Sequence, residues 1–468
     1  MTVRRVDVAI VGAGPAGMSA ALAAREQGAS VVVLDEQPAP GGQIYRNVLG
    51  ASPERMRLLG PDYAAGEVLT RRFRESGVEL LAGAAVWQVS PERSISYLHG
   101  GAVRELEATA LILCSGALER PMPIPGWTLP GVMTAGAAQI LVKSGGIVPA
   151  TPAVLAGCGP LLYLLATQLL RAGARIAAVV DTSQRSDLLA ALPRLPRALR
   201  DWRLLAKGWN LLAELRASGV PVYRGAENIA VEGSTAAQRI RFRSGGRQHT
   251  VDTQLVLLHQ GVIPNTQFTR ALRARHSWDE RQLCWVPDRT ADGELRDLEG
   301  VFVAGDGARI MGAAASAADG RVAGLAAAKR VPAKTPGGDD PMGAARRQRD
   351  VLTAARPFID ALYPPRCRVP ADEVTVCRCE EVTAGEIRRH VRAGCAGPNQ
   401  LKVFSRCGMG PCQGRQCGIT VTEVIAAERG VAPEEVGYQR VRPPIKPITL
   451  GELAGIQLAA PRSHLPPR

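Results

Sequence analysis

The sequence contains few aromatic residues and very little lysine. Aromatic side chains make up 4% of the 468 residues, and only six lysines stand among 57 basic residues. The formal net charge of +14 therefore comes from scattered arginines, and no block of basic residues is interleaved with aromatic residues. This pattern argues against a nucleic-acid-binding protein. No run of about eighteen apolar residues occurs, so the sequence predicts no transmembrane segment.

Cysteine is also scarce over most of the chain. Seven of the ten cysteines fall between positions 367 and 417. Arg4-Arg5 before an apolar stretch could start a signal peptide, but the glycines at 12–17 interrupt that stretch. In a large enzyme without a signal peptide, a local group of cysteines favours metal or cluster ligation over disulfides. The expected location is the cytoplasm, and peripheral attachment to the inner membrane through a complex is left open.

Residues 6–36 carry the clearest functional pattern. An apolar strand (6–11) leads into Gly-Ala-Gly-Pro-Ala-Gly at 12–17, a helix-forming run and a second apolar strand (30–34). The first glycine permits the tight turn, the second lets the backbone approach a pyrophosphate, and the third lets the helix pack on the strand. The helix N-terminus binds phosphate, and an acid after the second strand binds the ribose. We expect a dinucleotide to contact Gly12, Gly14, Pro15, Ala16, Gly17, Asp35 and Glu36.

Residues 152–181 repeat this unit. They comprise a strand, the turn Gly157-Cys158-Gly159-Pro160, an apolar helix, a second strand and Asp181. Leu162 replaces the third glycine, so we expect its side chain to push the helix away from the strand. The repeat indicates an internal duplication in which Gly157, Gly159 and Asp181 are the candidate contacts. Whether NAD(P)H, another adenine nucleotide or nothing binds there is left open.

Five motifs follow one another over the first two thirds of the chain. They are the fingerprint, Pro-Gly-Gly-Gln at 40–43, a strand ending in Cys-Ser-Gly at 114–116, the Pro-rich run 119–127, and Val-Phe-Val-Ala-Gly-Asp-Gly at 301–307. This order resembles the flavoprotein family of pyridine nucleotide–disulfide oxidoreductases. The resemblance implies an α/β fold with two Rossmann-like dinucleotide-binding domains, as in glutathione and thioredoxin reductases, and FAD at the first site. It adds further expected FAD contacts, with Asp306 on the ribityl chain: Gly42, Gln43, Gly116, Gly305 and Asp306.

The disulfide-reducing cysteines of that family are missing. No cysteine pair follows Gly42, and none lies near Cys158 or Cys284. We therefore do not expect this chain to reduce disulfides through a dithiol beside the flavin.

The remaining cysteines lie in a short C-terminal segment. Cys377 and Cys379 precede a helical stretch, and Cys407, Cys412 and Cys417 follow it. Four thiolates can hold a 2Fe-2S cluster or a zinc ion, and a CxC pair favours iron–sulfur. Spacing alone leaves open which of the last three cysteines complete the site.

This segment resembles the bacterioferritin-associated-ferredoxin type of 2Fe-2S domain. The resemblance implies that the ligands are Cys377, Cys379, Cys412 and Cys417. It leaves Cys395 and Cys407 as spare thiols, buried or near the cluster. It also implies that glycines of the segment present N–H groups to the cluster sulfurs: Gly408, Gly410, Gly414 and Gly418.

Two aromatic features are interpreted as structural. Trp202 and Trp209 lie seven residues apart on one face of a predicted helix (202–216), and we expect both to pack in the core. His259 precedes a turn, and we expect a hydrogen-bonded structural histidine there rather than an acid or base. No catalytic residue is assigned.

The patterns divide the chain into five parts. We expect a discontinuous FAD-binding domain (1–120 and 256–330), a second nucleotide-binding domain (121–255), a linker (331–372), a small 2Fe-2S domain (373–430) and a C-terminal tail (431–468).

Over almost its whole length the chain resembles the larger electron-transfer subunits of bacterial heteromeric amino-acid dehydrogenases. This group includes the corresponding subunits of opine oxidases, the alpha subunits of D-hydroxyproline and L-proline dehydrogenases, and the flavin subunit of hydrogen cyanide synthase. The resemblance implies oxidation of a secondary amine or amino acid on a separate FAD-containing subunit, with a small third subunit left open. It implies transfer of the electrons through the cluster to a quinone or cytochrome.

Two alternatives to this function remain. The chain could be a stand-alone NAD(P)H-dependent reductase, or a scaffold whose cofactors are structural. The sequence does not identify the substrate.

Overall fold

The computed structural model describes residues 3–331 and 341–455; part of the expected linker (332–340) and the end of the tail (456–468) lie outside the described residues. The strands are β1 Arg4–Val11, β2 Val31–Asp35, β3 Glu79–Ala82, β4 Ala85–Val89, β5 Ser94–His99, β6 Ala102–Leu113, β7 Ala117–Glu119, β8 Val132–Thr134, β9 Ala153–Cys158, β10 Ile176–Asp181, β11 Val222–Arg224, β12 Glu227–Glu232, β13 Arg239–Ser244, β14 Arg247–Asp252, β15 Leu255–Gln260, β16 Val262–Pro264, β17 His276–Asp279, β18 Cys284–Pro287, β19 Val301–Val303, β20 Thr375–Cys377 and β21 Val382–Thr383. The helices are α1 Pro15–Glu26, α2 Pro53–Leu59, α3 Pro61–Ala64, α4 Gly66–Glu75, α5 Ala135–Gly145, α6 Pro160–Arg171, α7 Arg185–Ala191, α8 Leu195–Ala198, α9 Trp202–Ala217, α10 Gln267–Ala271, α11 Ala313–Ala328, α12 Pro341–Leu352, α13 Arg356–Leu362, α14 Ala384–Arg392, α15 Pro398–Ser405, α16 Gly418–Arg429, α17 Pro433–Val436 and α18 Leu450–Ala454.

The first domain is built on a seven-stranded sheet of order β3-β2-β1-β6-β5-β4, with β19 also paired to β6. Strands β3, β2, β1, β6 and β19 run parallel. Their apolar residues are buried on one face by helices that include α1 and α11, and on the other by Phe268 of α10 together with Val441 and Ile445. Helices α1 and α11 pack closely because Gly320 and Gly324 of α11 lie against the backbone of Ala16 and Ala20. The parallel β2-β1-β6 order is the Rossmann-like arrangement that the sequence predicts.

The second domain contains a parallel sheet of order β11-β10-β9-β15-β8 and an antiparallel sheet of β12, β13 and β14. The chain enters it through β7 and leaves it through β16, and these two short strands pair with each other. Strand β15 pairs with both β9 and β8, so it belongs to the second sheet. The predicted boundary at residue 256 is therefore wrong, and the return to the first domain falls at Gly261. The reason is that the apolar run of β15 completes the second core before the turn.

Helices α12 and α13 lie within the predicted linker (331–372), where residues 344–362 have a helix-like pattern. They are held by buried apolar residues such as Ala345 and Phe358. One further expectation differs from the structure. Trp202 and Trp209 do not pack in the core: they are 61% and 66% exposed, so that prediction is wrong. Helix α9 instead buries Leu211 and Leu215 on its opposite side.

The cysteine segment forms a small module of β20, β21 and helices α14 to α17. A capping box at Thr383 and Glu386 begins α14, and Gly430 in the left-handed conformation ends α16. The module packs on the first domain, where Ile419 of α16 joins Trp278 and Trp285 in one apolar cluster. Within residues 3–331 and 341–455, no helix has the length and apolar character needed to cross a membrane.

Candidate cofactor cleft and cysteine cluster

A continuous cleft of about 2420 Å³ runs between the two sheets. It is lined by the glycine turn after β1, the Gly42-Gln43 loop and residues following β6 and β19. Residues of the second domain line it as well, including Asp181 and side chains of α6 and α9. The carboxyl ends of both parallel sheets therefore face one cavity, which is where ligands bind in open α/β sheets.

The first glycine turn has the shape that a pyrophosphate requires. Gly12 has a φ of 104°, and a Cβ on Gly17 would lie 1.8 Å from the Gly12 carbonyl oxygen, so neither position admits a side chain. A Cβ on Gly14 would meet no protein atom closer than 3.8 Å, because it would point into the cleft. A Cβ on Gly42 would lie 2.9 Å from Gly14 Cα, so the Gly42 loop lies directly against the turn. The residues present fit a dinucleotide.

Asp35 lies at the end of β2, beside this turn. Its carboxylate accepts hydrogen bonds from the backbone N–H groups of Ala13 (2.6 Å) and Gln37 (2.8 Å). Burial raises the pKa of Asp35 above its ordinary value. Glu36 forms an ion pair with Lys446 of the C-terminal segment. Both acids line the cleft, and the tail reaches the end where a ribose would lie.

The opposite wall of the first site is formed around Asp306. Its Oδ1 accepts hydrogen bonds from the N–H groups of Met311 (2.8 Å) and Gly312 (3.0 Å), which lead into α11. Gly305 has a φ of 69°, and its N–H donates to the buried carboxylate of Asp319. Gly116, which follows β6, also lines the cleft. Ten of the twelve predicted FAD contacts therefore line it, and the other two, Gly17 and Gly305, lie behind the turns.

Lys143 is a buried cation on this cleft. Its Nζ donates to the backbone carbonyl of Gln43 (3.1 Å) and to Gln139 Oε1 (2.9 Å). Gln139 in turn donates to Gln168, which donates to the carbonyl of Leu59. These two amides hold Gln139 so that its Oε1 points at the ammonium group of Lys143. Burial, together with the positive charges of Arg46 and Lys207, lowers the pKa of Lys143 to about 7.

Glu119 and His259 form a pair at the crossing between the domains. His259 Nδ1 lies 2.6 Å from Glu119 Oε1, and the same carboxylate accepts the Gly136 N–H at the start of α5. His259 is buried, and its Nε2 lies 3.4 Å from the position that a Cβ on Gly159 would take. The expected hydrogen bond of His259 is present, and its structural role stays a prediction.

The second nucleotide unit is partly covered by the protein itself. Asp181 is buried, and its carboxylate accepts hydrogen bonds from Tyr163 Oη (2.5 Å) and from the backbone N–H of Ser183 (2.9 Å). The Cys158 thiol lies 3.6 Å from the carbonyl oxygen of Pro364, in the segment that follows α13. Gly157 and Gly159 keep positive φ values of 131° and 110°. The turn therefore has its glycine geometry, while its acid is already bonded.

Five thiols converge in the C-terminal module. The sulfur atoms of Cys377, Cys407 and Cys417 lie within 4.8 Å of one another. The Cys412 thiol contacts those of Cys417 and Cys379. Hydrogen bonds from the Cys407 and Cys417 thiols lower the pKa of Cys377, and the same contacts raise the pKa of Cys407 and Cys417. The structure thus places the four predicted ligands together and adds Cys407 beside them, while Cys395 lies in the module core.

The glycines of the cysteine loop surround one side chain that sequence reasoning did not find. A Cβ on Gly408 would lie 2.1 Å from Gln439 Nε2, and one on Gly414 would lie 1.9 Å from Gln439 Oε1. Gln439 is buried and donates to the carbonyl of Cys407 (3.2 Å). These two glycines make room for an amide, whereas a Cβ on Gly410 would meet Cys379. No motif marks position 439, because it acts through a contact distant in sequence.

The cysteine loop reaches the cofactor cleft. Arg415, between Cys412 and Cys417, lines the large cleft together with Leu118 and Gln267. The same three residues line a small cavity of about 30 Å³ between the first domain and the C-terminal module. Gln267 also donates to the backbone carbonyl of Gln413 (3.3 Å). The dinucleotide cleft and the thiol cluster therefore share a wall.

Comparison with known proteins identifies the class of this chain. The profile of the pyridine nucleotide-disulphide oxidoreductase family matches residues 6–320, and that of the sarcosine oxidase A3 domain matches residues 373–456. The chain belongs to the pyridine nucleotide-disulphide oxidoreductase family.

Full-length relatives narrow this class to the A-type subunits of opine oxidases, to whose family the chain also belongs. It is 45% identical to the A-type subunit of opine oxidase from Agrobacterium tumefaciens, over 97% of this chain and 94% of that protein. It is 30% identical to the HcnB subunit of hydrogen cyanide synthase from Pseudomonas aeruginosa, over 94% of this chain and 96% of that protein. The structure of L-proline dehydrogenase from P. horikoshii superposes with a TM-score of 0.70 at 18% identity, covering 97% of this chain and 80% of that chain. This likeness confirms the predicted fold.

Proposed function

We propose that this chain is the FAD- and 2Fe-2S-containing subunit of a heteromeric enzyme that oxidises a secondary amine or amino acid. The relatives named as subunits of opine oxidase and hydrogen cyanide synthase support this proposal. In it, FAD accepts the electrons from the substrate-oxidising subunit, and the cluster passes them singly to an acceptor such as a quinone or cytochrome.

The observation that carries the proposal is the shared wall between cleft and cluster. Arg415 lies three residues after Cys412 and two before Cys417, and it lines the dinucleotide cleft. A relay between two redox centres needs them to be adjacent, and this contact supports such a relay. An enzyme whose cluster served only for folding would not require the cysteine loop to form part of the cleft.

In this proposal the residues of the glycine turn, the Gly42-Gln43 loop, Gly116 and Asp306 hold FAD, and Asp35 holds its ribose. Cys377, Cys379, Cys412 and Cys417 hold the cluster. The substrate-oxidising site and its acid–base residues lie on a partner subunit that carries its own FAD. A third, small subunit is compatible with this arrangement.

The structure gives a reason to prefer this function to an NAD(P)H-dependent reductase. The ribose-binding acid of the second unit, Asp181, is engaged by Tyr163 and Ser183, and the segment after α13 lies against Cys158.

Co-purification of this chain with its partners from the native host tests the proposal. We expect a complex that contains FAD and two irons per copy of this chain, and that reduces a quinone analogue when an opine, proline or hydroxyproline is added. Purified chain that oxidises NADH at comparable rates without a partner would instead establish the reductase. A cluster-free variant with full turnover would favour the scaffold.

A further inference from the structure

Arg270 is a half-buried cation without an ion-pair partner among the described residues. It lies on α10 of the first domain, in the wall that faces the C-terminal module, and its Nε is buried. It forms no ion pair with any residue in the described part of the chain, and its Nε has no hydrogen-bond partner. Its guanidinium stacks on the ring of Tyr438, 4.7 Å from the ring centre.

None of the groups that face Arg270 in the described part of the chain is an anion, and Arg415 on the same small cavity is a second cation. Burial raises the pKa of the Cys284 thiol to about 12, and burial together with Arg270 lowers the pKa of His276 to about 3. Tyr438 keeps its proton because burial raises its pKa as well. Burial lowers the pKa of Arg270 to about 10, so the guanidinium is still charged at neutral pH. An unpaired charge that is held partly away from water is stabilised when an anion lies close to it.

The geometry shows where that anion would be. Arg270 Nη1 lies 4.0 Å from the position of a Cβ on Gly418, the residue that follows Cys417. Arg270 also lines the small interdomain cavity together with Gly414 and Arg415 of the cysteine loop. A 2Fe-2S centre held by four thiolates is negatively charged and gains one further negative charge when it is reduced.

We propose that Arg270 is the countercharge of the iron–sulfur centre, supplied by the flavin-type domain, and that it raises the reduction potential of that centre. The inference rests on the proposed function, because it requires the cluster to be present. The cation favours the reduced cluster over the oxidised one, since the attraction grows with the negative charge. It is a positioning residue that makes electron transfer from the cleft to the cluster more favourable. Arg270 can act in this way only when the C-terminal module is docked on the first domain.

The test compares Arg270→Gln, which removes the charge, with Arg270→Lys, which keeps it. Arg275→Gln is the control, because Arg275 lies nearby on the surface with a side chain that is 66% exposed. Each full-length variant is measured for iron per chain, for the electron paramagnetic resonance spectrum after dithionite reduction, and for the midpoint potential of the cluster.

We expect Arg270→Gln to lower the equilibrium constant for cluster reduction at least tenfold, which is about 59 mV for one electron. Arg270→Lys should recover most of this shift, and Arg275→Gln should match the wild type. If Arg270→Gln loses its iron and Arg270→Lys keeps it, the countercharge is also supported. Loss of iron in both variants, or an unchanged potential in Arg270→Gln, would overturn the inference. A wild-type chain without a cluster would refute the proposed function itself.

Discussion

The glycines of the first turn differ in what would collide with an added side chain, which is either the protein itself or a bound dinucleotide. At Gly12 and Gly17 the protein leaves no room for a Cβ, so any substitution distorts the turn. At Gly14 the protein leaves room, and the space belongs to the cleft. Gly14 is therefore the position at which binding and folding can be separated by mutation.

Gly14→Val should weaken FAD binding at least tenfold while the chain still folds. The branched side chain would occupy the space where the backbone approaches the pyrophosphate. FAD content after gel filtration and far-ultraviolet circular dichroism are the measurements. Gly343→Val in α12, outside the cleft, is the control and should keep its FAD. Folded, FAD-loaded Gly14→Val protein would show that the site lies elsewhere.

Lys143 makes the stability of the FAD-free chain depend on pH. The pKa of Lys143 falls from 10.5 in the unfolded chain to about 7 in the folded one, because burial disfavours its charge. Between these pH values the unfolded chain binds more protons, so the free energy of unfolding rises with pH. The destabilisation is complete below pH 7 and amounts to roughly 3–5 kcal/mol at most, at about 1.4 kcal/mol per pKa unit.

Lys143→Met should therefore stabilise the FAD-free chain at pH 7 and remove its gain in stability between about pH 7 and pH 9.5. Urea unfolding at both pH values measures this. Lys329→Met, at an exposed position, should keep the wild-type dependence of stability on pH. A Lys143→Met variant that still gains stability over this range would show that another group titrates.

Much of the first site could be predicted from single residues, because the glycine turn and Asp306 act through local backbone geometry. Lys143 and Gln439 could not, since each acts through contacts with residues distant in sequence. A signal for Lys143 did exist: it is one of only six lysines and follows the apolar run 140–142. Position 439 carries no comparable signal.

At the scale of elements, the two nucleotide-binding units have diverged through the residues around their acids. Asp35 accepts hydrogen bonds from backbone N–H groups at the first turn. Asp181 accepts one from Tyr163, a side chain of α6 that lies directly after the position of the missing third glycine. The substitution at Leu162 is thus accompanied by an aromatic residue that closes the ribose site.

NADH and NADPH should not reduce the bound flavin within minutes under anaerobic conditions. The Tyr163 hydroxyl and Ser183 hold the carboxylate that a ribose would need, and Tyr163→Phe alone should not restore reduction because the segment after α13 still adjoins Cys158. Stopped-flow absorbance at the flavin band is the measurement. Dithionite, which should bleach the flavin at once, is the control. Rapid bleaching by either nucleotide would contradict this prediction.

The hydrophobic pattern of the sequence predicted whether most elements are helices or strands, but not which elements pack against one another. The amphipathic pattern of α9 correctly indicated a helix, yet Trp202 and Trp209 lie on its exposed face. Hydrophobicity alone cannot distinguish a core-facing stripe from a surface one when both faces of a helix carry apolar residues. The position of β15 was misjudged for a related reason, because a buried parallel strand does not reveal which sheet it joins.

At the scale of the whole molecule, the C-terminal module is fixed to the first domain by more than the chain connection. Arg120 and Glu423 are both buried and approach to 3.6 Å across the boundary, and Arg368 lies 3.0 Å from the same carboxylate. Lys446 reaches back to Glu36 at the cleft. The expected separate module is thus distinct in its fold but docked in place, which its sequence could not show because the docking residues are scattered over the chain.

The C-terminal module contains more clustered thiols than the four that are predicted to hold the cluster. Cys407 is buried and lies within the same group as Cys377 and Cys417, although the family resemblance treats it as spare. Its backbone carbonyl is held by Gln439. Two assignments therefore remain: Cys412 and Cys417, as predicted, or Cys407 and Cys412.

Two variants separate these assignments. If Cys412 and Cys417 are ligands, Cys407→Ala should keep two irons per chain and lose only packing, at a cost of about 1–2 kcal/mol. Cys417→Ser should lose the cluster or shift its potential strongly, because an oxygen ligand changes the charge and covalency at iron. FAD should remain bound in both, since the glycine turn and Asp306 lie on the first domain. Reduction of the flavin by the partner should continue in Cys417→Ser while acceptor turnover collapses. Iron content, electron paramagnetic resonance and turnover decide the matter: an iron-free Cys407→Ala protein beside an unchanged Cys417→Ser protein would transfer the assignment to Cys407 and Cys412.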